Sequence, residues 1–278
     1  MSAVWRLGAC TTPAARAAAE QLVERLAGAW CFAWVEPADA SCPVARRACL
    51  LEALAEDRVD VVVMPLTDVP APPPARVHVA CVPRRTPPTD AWFVRSASSD
   101  RDIPSATSVA TDHAWRVACL RALPTPPAVI AQHLDATAAL AALVEGAVDV
   151  ALLPLGAAEG AGLPVRAVPA ADTFLPRAGQ GAQVLLVRLD DASAAAAVEA
   201  CGDVETAAAV TAERAVLERL GLTPADPLGA RATLAGGQLR LEVGYDPGDG
   251  SPLRRVRVDG ALAAAAALGV QAAEQLLA

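Results

Sequence analysis

Asp60-Val61-Val62-Val63-Met64-Pro65-Leu66 is apolar at every position from Val61 to Leu66 and closes on a proline. A run this short and this uniformly apolar predicts a strand buried on both faces, as in a parallel sheet, rather than a half-exposed strand with alternating polarity. Strand and helix signals alternate on either side of it. Residues 5–9 form a short apolar run. Thr12 is placed to cap a helix with Pro13 in its first turn, Leu22, Val23, Leu26 and Ala27 on one face, and Gly28 at its end. Residues 30–35 read as a second strand and 46–55 as a helix. A proline-rich loop over 70–76 leads into a strand at 77–82.

The same grammar recurs around a second buried run, residues 148–153. A strand at 108–111, a helix over 114–123 with Asp112 as its cap, a strand at 129–132 and a helix over 137–144 precede it. Two such units in series predict an α/β protein with two doubly wound, periplasmic-binding-protein-like lobes and a cleft between them. Beyond Gly202 the pattern changes. Residues 204–220 read as one long helix. Runs at 230–234, 238–245 and 253–258, separated by Ala-Gly-Gly and Asp-Pro-Gly-Asp-Gly, predict a three-stranded antiparallel sheet, covered by the alanine-rich C-terminal helix.

Composition narrows the chemistry. Hydrophobic residues make up 54% of the 278, charged residues 19%, and the formal net charge is −8. That excludes a disordered chain, and the absence of a basic cluster argues against nucleic acid. All 23 basic residues are arginine, so no lysine is available for a Schiff base. The seven cysteines (10, 31, 42, 49, 81, 119 and 201) include no C-x-x-C pair, which disfavours a disulfide framework or a zinc knuckle and fits a reducing cytoplasm. No signal peptide is read at the N-terminus, and the apolar tail is broken by Gln271, Glu274 and Gln275, so no membrane span is expected. His113 and His133 lack acidic or thiol partners at matching spacing. They read as packing or surface residues, not as a metal site, and His78 reads as structural.

Several stretches, in order, resemble one family. Leu175-Pro-Arg-Ala-Gly-Gln-Gly-Ala182, Thr211-Ala-Glu-Arg-Ala-Val-Leu217, Thr67-Asp-Val-Pro70, Leu120-Arg-Ala-Leu123 and Glu145-Gly-Ala-Val-Asp149 resemble motifs of hydroxymethylbilane synthase (porphobilinogen deaminase) at similar spacing. The resemblance implies three domains: residues 1–97 with 178–199, residues 98–177, and residues 200–278, with the active cleft between the first two. It implies head-to-tail polymerisation of four porphobilinogen units on a dipyrromethane cofactor, tethered by a thioether to a cysteine of the third domain.

The resemblance also assigns positions. Asp68 stands at the aspartate that stabilises positive charge near the pyrrole nitrogens as ammonia leaves; its packing alternative is a loop-capping residue. Cys10, Thr67 and Trp115 stand where basic residues would hold the carboxylates of the pyrrole, and His133 and Ala139 fall near two further arginine positions. Arg116 retains one such arginine, at a helix start suited to an anion. Thr12, Arg177 and Gln180 complete the expected ligand-binding set. The attachment cysteine aligns with Thr223 or Pro224, and no cysteine follows Cys201. Neither residue forms a thioether, so no covalent dipyrromethane is expected.

The expectation is therefore a divergent family member, a monomer without metal, that binds or deaminates a small pyrrole or amine metabolite. Two alternatives stand beside it: a genuine synthase with a noncovalent primer, and a catalytically dead binding or regulatory protein.

Overall fold

Among the described residues, two mixed five-stranded sheets and one three-stranded sheet carry the fold. A computed structural model describes residues 4–9, 20, 31–35, 43–98, 103, 107–170 and 174–278. These residues form two compact units, Met1–Thr86 with Ala182–Ala207, and Pro87–Gly181 with Ala208–Ala278.

In the first unit the strand order is β2 (Cys31–Val35), β1 (Val4–Ala9), β3 (Val61–Pro65), β10 (Gln183–Arg188), β4 (Val77–Cys81). β1 runs parallel to β2 and β3, whereas β10 is antiparallel to both β3 and β4. Val61 to Met64 are buried, as their uniform apolarity predicts. Leu7, Val61, Val63, Leu185 and Val187 on one face pack with Ala194 and Val198 of α4 (Ala192–Val198). On the other face Leu50 of α1 (Pro43–Ala55) meets Gly8, where a methyl group would press on Leu50 and Val62. The sheet is thus covered on both sides. The helix expected from Thr12 to Ala27 lies outside the described residues except for Glu20, which is helical.

The second unit holds the sheet β7 (Val129–Gln132), β6 (Ser108–Thr111), β8 (Val150–Pro154), β5 (Asp90–Arg95), β9 (Val165–Pro169). Here α3 (Ala136–Val144) covers one face through Leu140 and Leu143. Leu120 of α2 (Ala114–Arg121) packs on the other, against Val109, Val150 and Leu152. The three-stranded sheet β11 (Leu228–Ala235), β12 (Gln238–Tyr245), β13 (Arg254–Ala261) belongs to this same unit. Its first hairpin turns at Gly236 and Gly237, with φ of 60° and 79°, the left-handed pair that a two-residue hairpin loop demands. Leu268 and Ala272 of α6 (Ala265–Leu277) are buried with Leu239, Leu241 and Val243. Gly269 lets α6 approach α5 (Val204–Leu220) so closely that any side chain there would strike the Ala212 carbonyl.

The two five-stranded sheets share a local device. β3 and β8 each end on a proline in extended conformation, followed by a leucine that opens a 3-10 turn, Leu66–Asp68 in one and Leu155–Ala158 in the other. Asp68 in the first corresponds to Ala157 in the second. Four elements did not stand out in the sequence. β5 follows a proline-rich stretch and β9 a run of glycine and alanine, β10 is a short run after a glycine turn, and α4 is almost all alanine and shows no helical periodicity.

Candidate functional site

Asp68 is the third residue of the turn that follows β3. The order of the first sheet reverses direction at β1 and β3, and the carboxyl ends of strands at such a switch point are where open α/β sheets take ligands. The Asp68 side chain is 21% exposed, and its Oδ1 accepts a hydrogen bond of 2.7 Å from Nη1 of Arg47 on α1. Sequence reasoning missed Arg47, because nothing in an isolated Arg-Arg pair says which carboxylate it will reach. Thr67 is half-buried beside Asp68. Cys10 and Thr12 lie outside the described residues.

At the corresponding switch point of the second unit, between β6 and β8, the start of α2 brings His113, Trp115 and Arg116 together. The helix cap is His113 rather than Asp112: its Nδ1 accepts the Trp115 N–H at 3.2 Å. Asp112 instead reaches one turn forward to Nη1 of Arg116. Arg116, expected to face a ligand, is 1% exposed. Its Nε and Nη2 donate to the two oxygens of Asp90 at 2.8 Å each, and Nη2 also donates to Gln180 Oε1 at 2.6 Å. Gln180 in turn donates to Asp90 Oδ1 at 2.7 Å and to the Pro88 carbonyl. Burial works against the guanidinium charge, but Asp90 and Asp112 outweigh it and hold the pKa of Arg116 above its ordinary value. Two carboxylates on one guanidinium leave the cluster negative, which opposes a further anion. Asp90 was not singled out in the sequence; its place after Pro87-Pro88 gives no hint that it is buried.

His113 is buried, and its Nε2 lies 2.8 Å from the Pro224 carbonyl. With Nδ1 accepting from Trp115, Nε2 carries the proton, and both ring nitrogens are satisfied only in the neutral form. Desolvation first, then the charges of Arg177 and Arg116, lower its pKa from 6.5 to about 3. The unfolded chain therefore takes up the proton first: the contribution of His113 to stability is complete above 6.5 and declines as pH falls from there toward about 3. His113→Gln, which keeps a donor for Pro224, is expected to flatten that decline. Urea unfolding at about pH 7 and about pH 4.5 measures it; an unchanged slope sinks the assignment.

Trp115, expected to line a ligand site, is fully buried. Its Nε1–H donates to the Leu175 carbonyl at 2.8 Å, and its ring lies on Gly229 and Gly244. Arg177 is half-buried and forms a backbone bridge with Gly229. Glu213, also missed, is fully buried and accepts backbone N–H groups from Gly179 at 2.7 Å and Ala232 at 2.8 Å, tying the Gly179-Gln180-Gly181 turn to α5 and β11. His133 sits at the end of β7, half-buried, with its backbone N–H donating to Thr111 and its Nε2 without a hydrogen-bond partner. Ala139 is buried in α3. Among the described residues no group of three or more His, Cys, Asp or Glu side chains is arranged to hold a metal, and no helix is long and apolar enough to cross a membrane.

The residues at the implied attachment position do not fit a thioether-held group. Thr223 is exposed, and its hydroxyl and backbone N–H both donate to Asp226 Oδ2. Pro224 offers only the carbonyl taken by His113. The sequence gives the second unit one thiol, Cys119, which is buried beside Trp115 and Ala118. Desolvation pushes its pKa up to about 12, so it has almost no thiolate at neutral pH.

Comparison with known proteins places these features in a family. Residues 48–196 match the family described as "Porphobilinogen deaminase, dipyromethane cofactor binding domain". A porphobilinogen deaminase of Sorangium cellulosum is 32% identical over 208 residues, covering 74% of this chain and 69% of that protein. One from Bordetella bronchiseptica is 34% identical over 232 residues, covering 81% and 73%. Among solved structures, a putative methionine-binding lipoprotein of Bacillus subtilis aligns with a TM-score of 0.44 at 12% identity, over 70% of this chain and 88% of that one. The periplasmic aliphatic sulphonate binding protein SsuA of Escherichia coli aligns at 0.42 and 19%, over 77% and 73%. The ordered motifs, the match over residues 48–196 and identities above 30% over most of the chain make this protein a member of the porphobilinogen deaminase family.

Proposed function

We propose that this member of the family does not extend a covalently anchored dipyrromethane, and that it takes a small pyrrole or amine metabolite at Asp68. The observation that carries the reading is chemical: no thiol follows Cys201, and the one cysteine of the second unit is held in its protonated form by burial. The engagement of Arg116 by Asp90 and Asp112 supports a ligand with fewer carboxylates than porphobilinogen. Charge-assisted contacts contribute about 1.5–3 kcal/mol each, so losing several removes most of the affinity for a growing polycarboxylate. Asp68 remains suited to elimination of ammonia from an aminomethyl group. From the protonated aminomethyl group the C–N bond breaks, its electron pair leaves with the nitrogen as neutral ammonia, and the carboxylate faces the positive charge left on the ring. The cysteine set, without C-x-x-C spacing, supports a cytoplasmic setting.

The test combines two measurements on the purified wild-type chain. Intact mass is expected to equal that of the polypeptide alone. Incubation with porphobilinogen, followed by oxidation, is expected to give no porphyrin absorbance. Porphyrin formed at the rate of a cysteine-bearing family member, or a mass increase matching a dipyrromethane, overturns the proposal.

A further inference from the structure

We infer that Trp115 is the specificity-determining residue that closes the second unit to an oligopyrrole, because its indole fills a seat built for a planar N–H heteroaromatic ring. The inference rests on the preceding reading only in taking Trp115 as a position whose basic residue would hold the carboxylates of the pyrrole, and Thr223/Pro224 as the attachment position. Those positions are far apart in the chain, yet they lie together. His113, two residues before Trp115, holds the Pro224 carbonyl, and the indole rests on Gly229 a few residues further on.

The surroundings of the indole are those of a ring site. Gly229 and Gly244 are cross-strand partners in β11 and β12, so the sheet presents two adjacent positions without side chains, and together they make a flat floor. A methyl group at either would overlap the indole. The Leu175 carbonyl accepts the one N–H of the ring. Arg255, the cross-strand partner of Gly244 on β13, places its guanidinium 6.0 Å from the ring centroid, within range of a cation–π contact. Ala118, Cys119 and Leu175 form the apolar wall. Indole is a benzo-fused pyrrole, and its N–H meets the carbonyl as a pyrrole N–H would. Trp115 therefore acts as a resident occupant, and an external ring enters only if the indole leaves.

Trp115→Gly vacates the seat, and free indole is the probe. The variant is expected to bind one indole per chain, with a melting temperature that rises as indole is added, while the wild-type melting temperature stays fixed. 1-Methylindole, which cannot donate to Leu175, is expected to bind about tenfold more weakly, the ratio that a lost hydrogen bond of ordinary strength gives. A variant that folds cooperatively and shows no indole-dependent rise overturns the inference, as does equal binding of 1-methylindole. If the variant does not fold alone, it is refolded in saturating indole. Folding only in its presence supports the seat, and failure in both conditions overturns it. These outcomes are independent of the porphobilinogen test on the wild-type chain: porphyrin there refutes the functional reading, whereas an indole-blind variant refutes the seat.

Discussion

Glu213→Ala is expected to lower the free energy of unfolding by about 2–6 kcal/mol, since it leaves two buried backbone donors without an acceptor at about 1–3 kcal/mol each. Glu213 is fully buried, and the two N–H groups it accepts come from segments distant from its helix and from each other, the turn at Gly179 and the strand at Ala232. Glu213→Gln should fall between, because one of its two terminal atoms is an acceptor and the other a donor facing a donor. Urea unfolding followed by circular dichroism measures both. A loss below about 0.5 kcal/mol for the alanine variant, the range of an ordinary surface substitution, would show that the carboxylate does not hold this junction.

The Arg116 cluster gives the second large effect, with a sign that depends on how it is dismantled. Asp90→Leu removes the bidentate partner of a guanidinium that is 1% exposed and leaves Asp112 as its remaining carboxylate, and breaking the buried pair is expected to cost about 3–5 kcal/mol. Arg116→Met strands Asp90 and Asp112 and should cost a similar amount. The double variant Asp90→Leu with Arg116→Met is expected to be more stable than either single one, since an apolar pair of comparable volume carries no desolvation penalty. Equilibrium unfolding of the four proteins closes the cycle. Additive losses would mean that the pair is not coupled.

Local patterns in the sequence foretold the strands and helices of each unit that have a strong periodic or uniform signature. The apolar run at 61–66, the long helix from Val204 to Leu220 and the Gly236-Gly237 hairpin each follow from residues adjacent in the chain. The site was less legible, because its geometry is made by residues distant in sequence. Nothing near Trp115 announces that Gly229 and Gly244 will receive its ring, and nothing near Arg116 announces Asp90 and Gln180. A difference of one residue also mattered. With His113 rather than Asp112 capping α2, the aspartate is released to reach the guanidinium that the helix start would otherwise offer to an anion.

The return of the chain as β10 sets an order of events during synthesis. Among the described residues of the first sheet β4 pairs only with β10, and β3 has β10 as its neighbour on that side. All five strands of the second sheet, from Asp90 to Pro169, leave the ribosome before Gln183 does. The earlier-made sheet therefore waits, with one flank of β3 unpaired and β4 unattached, while the later-made one can already close. During that interval the valine-rich β3 offers an open edge to other chains, the situation in which nascent proteins aggregate or recruit chaperones.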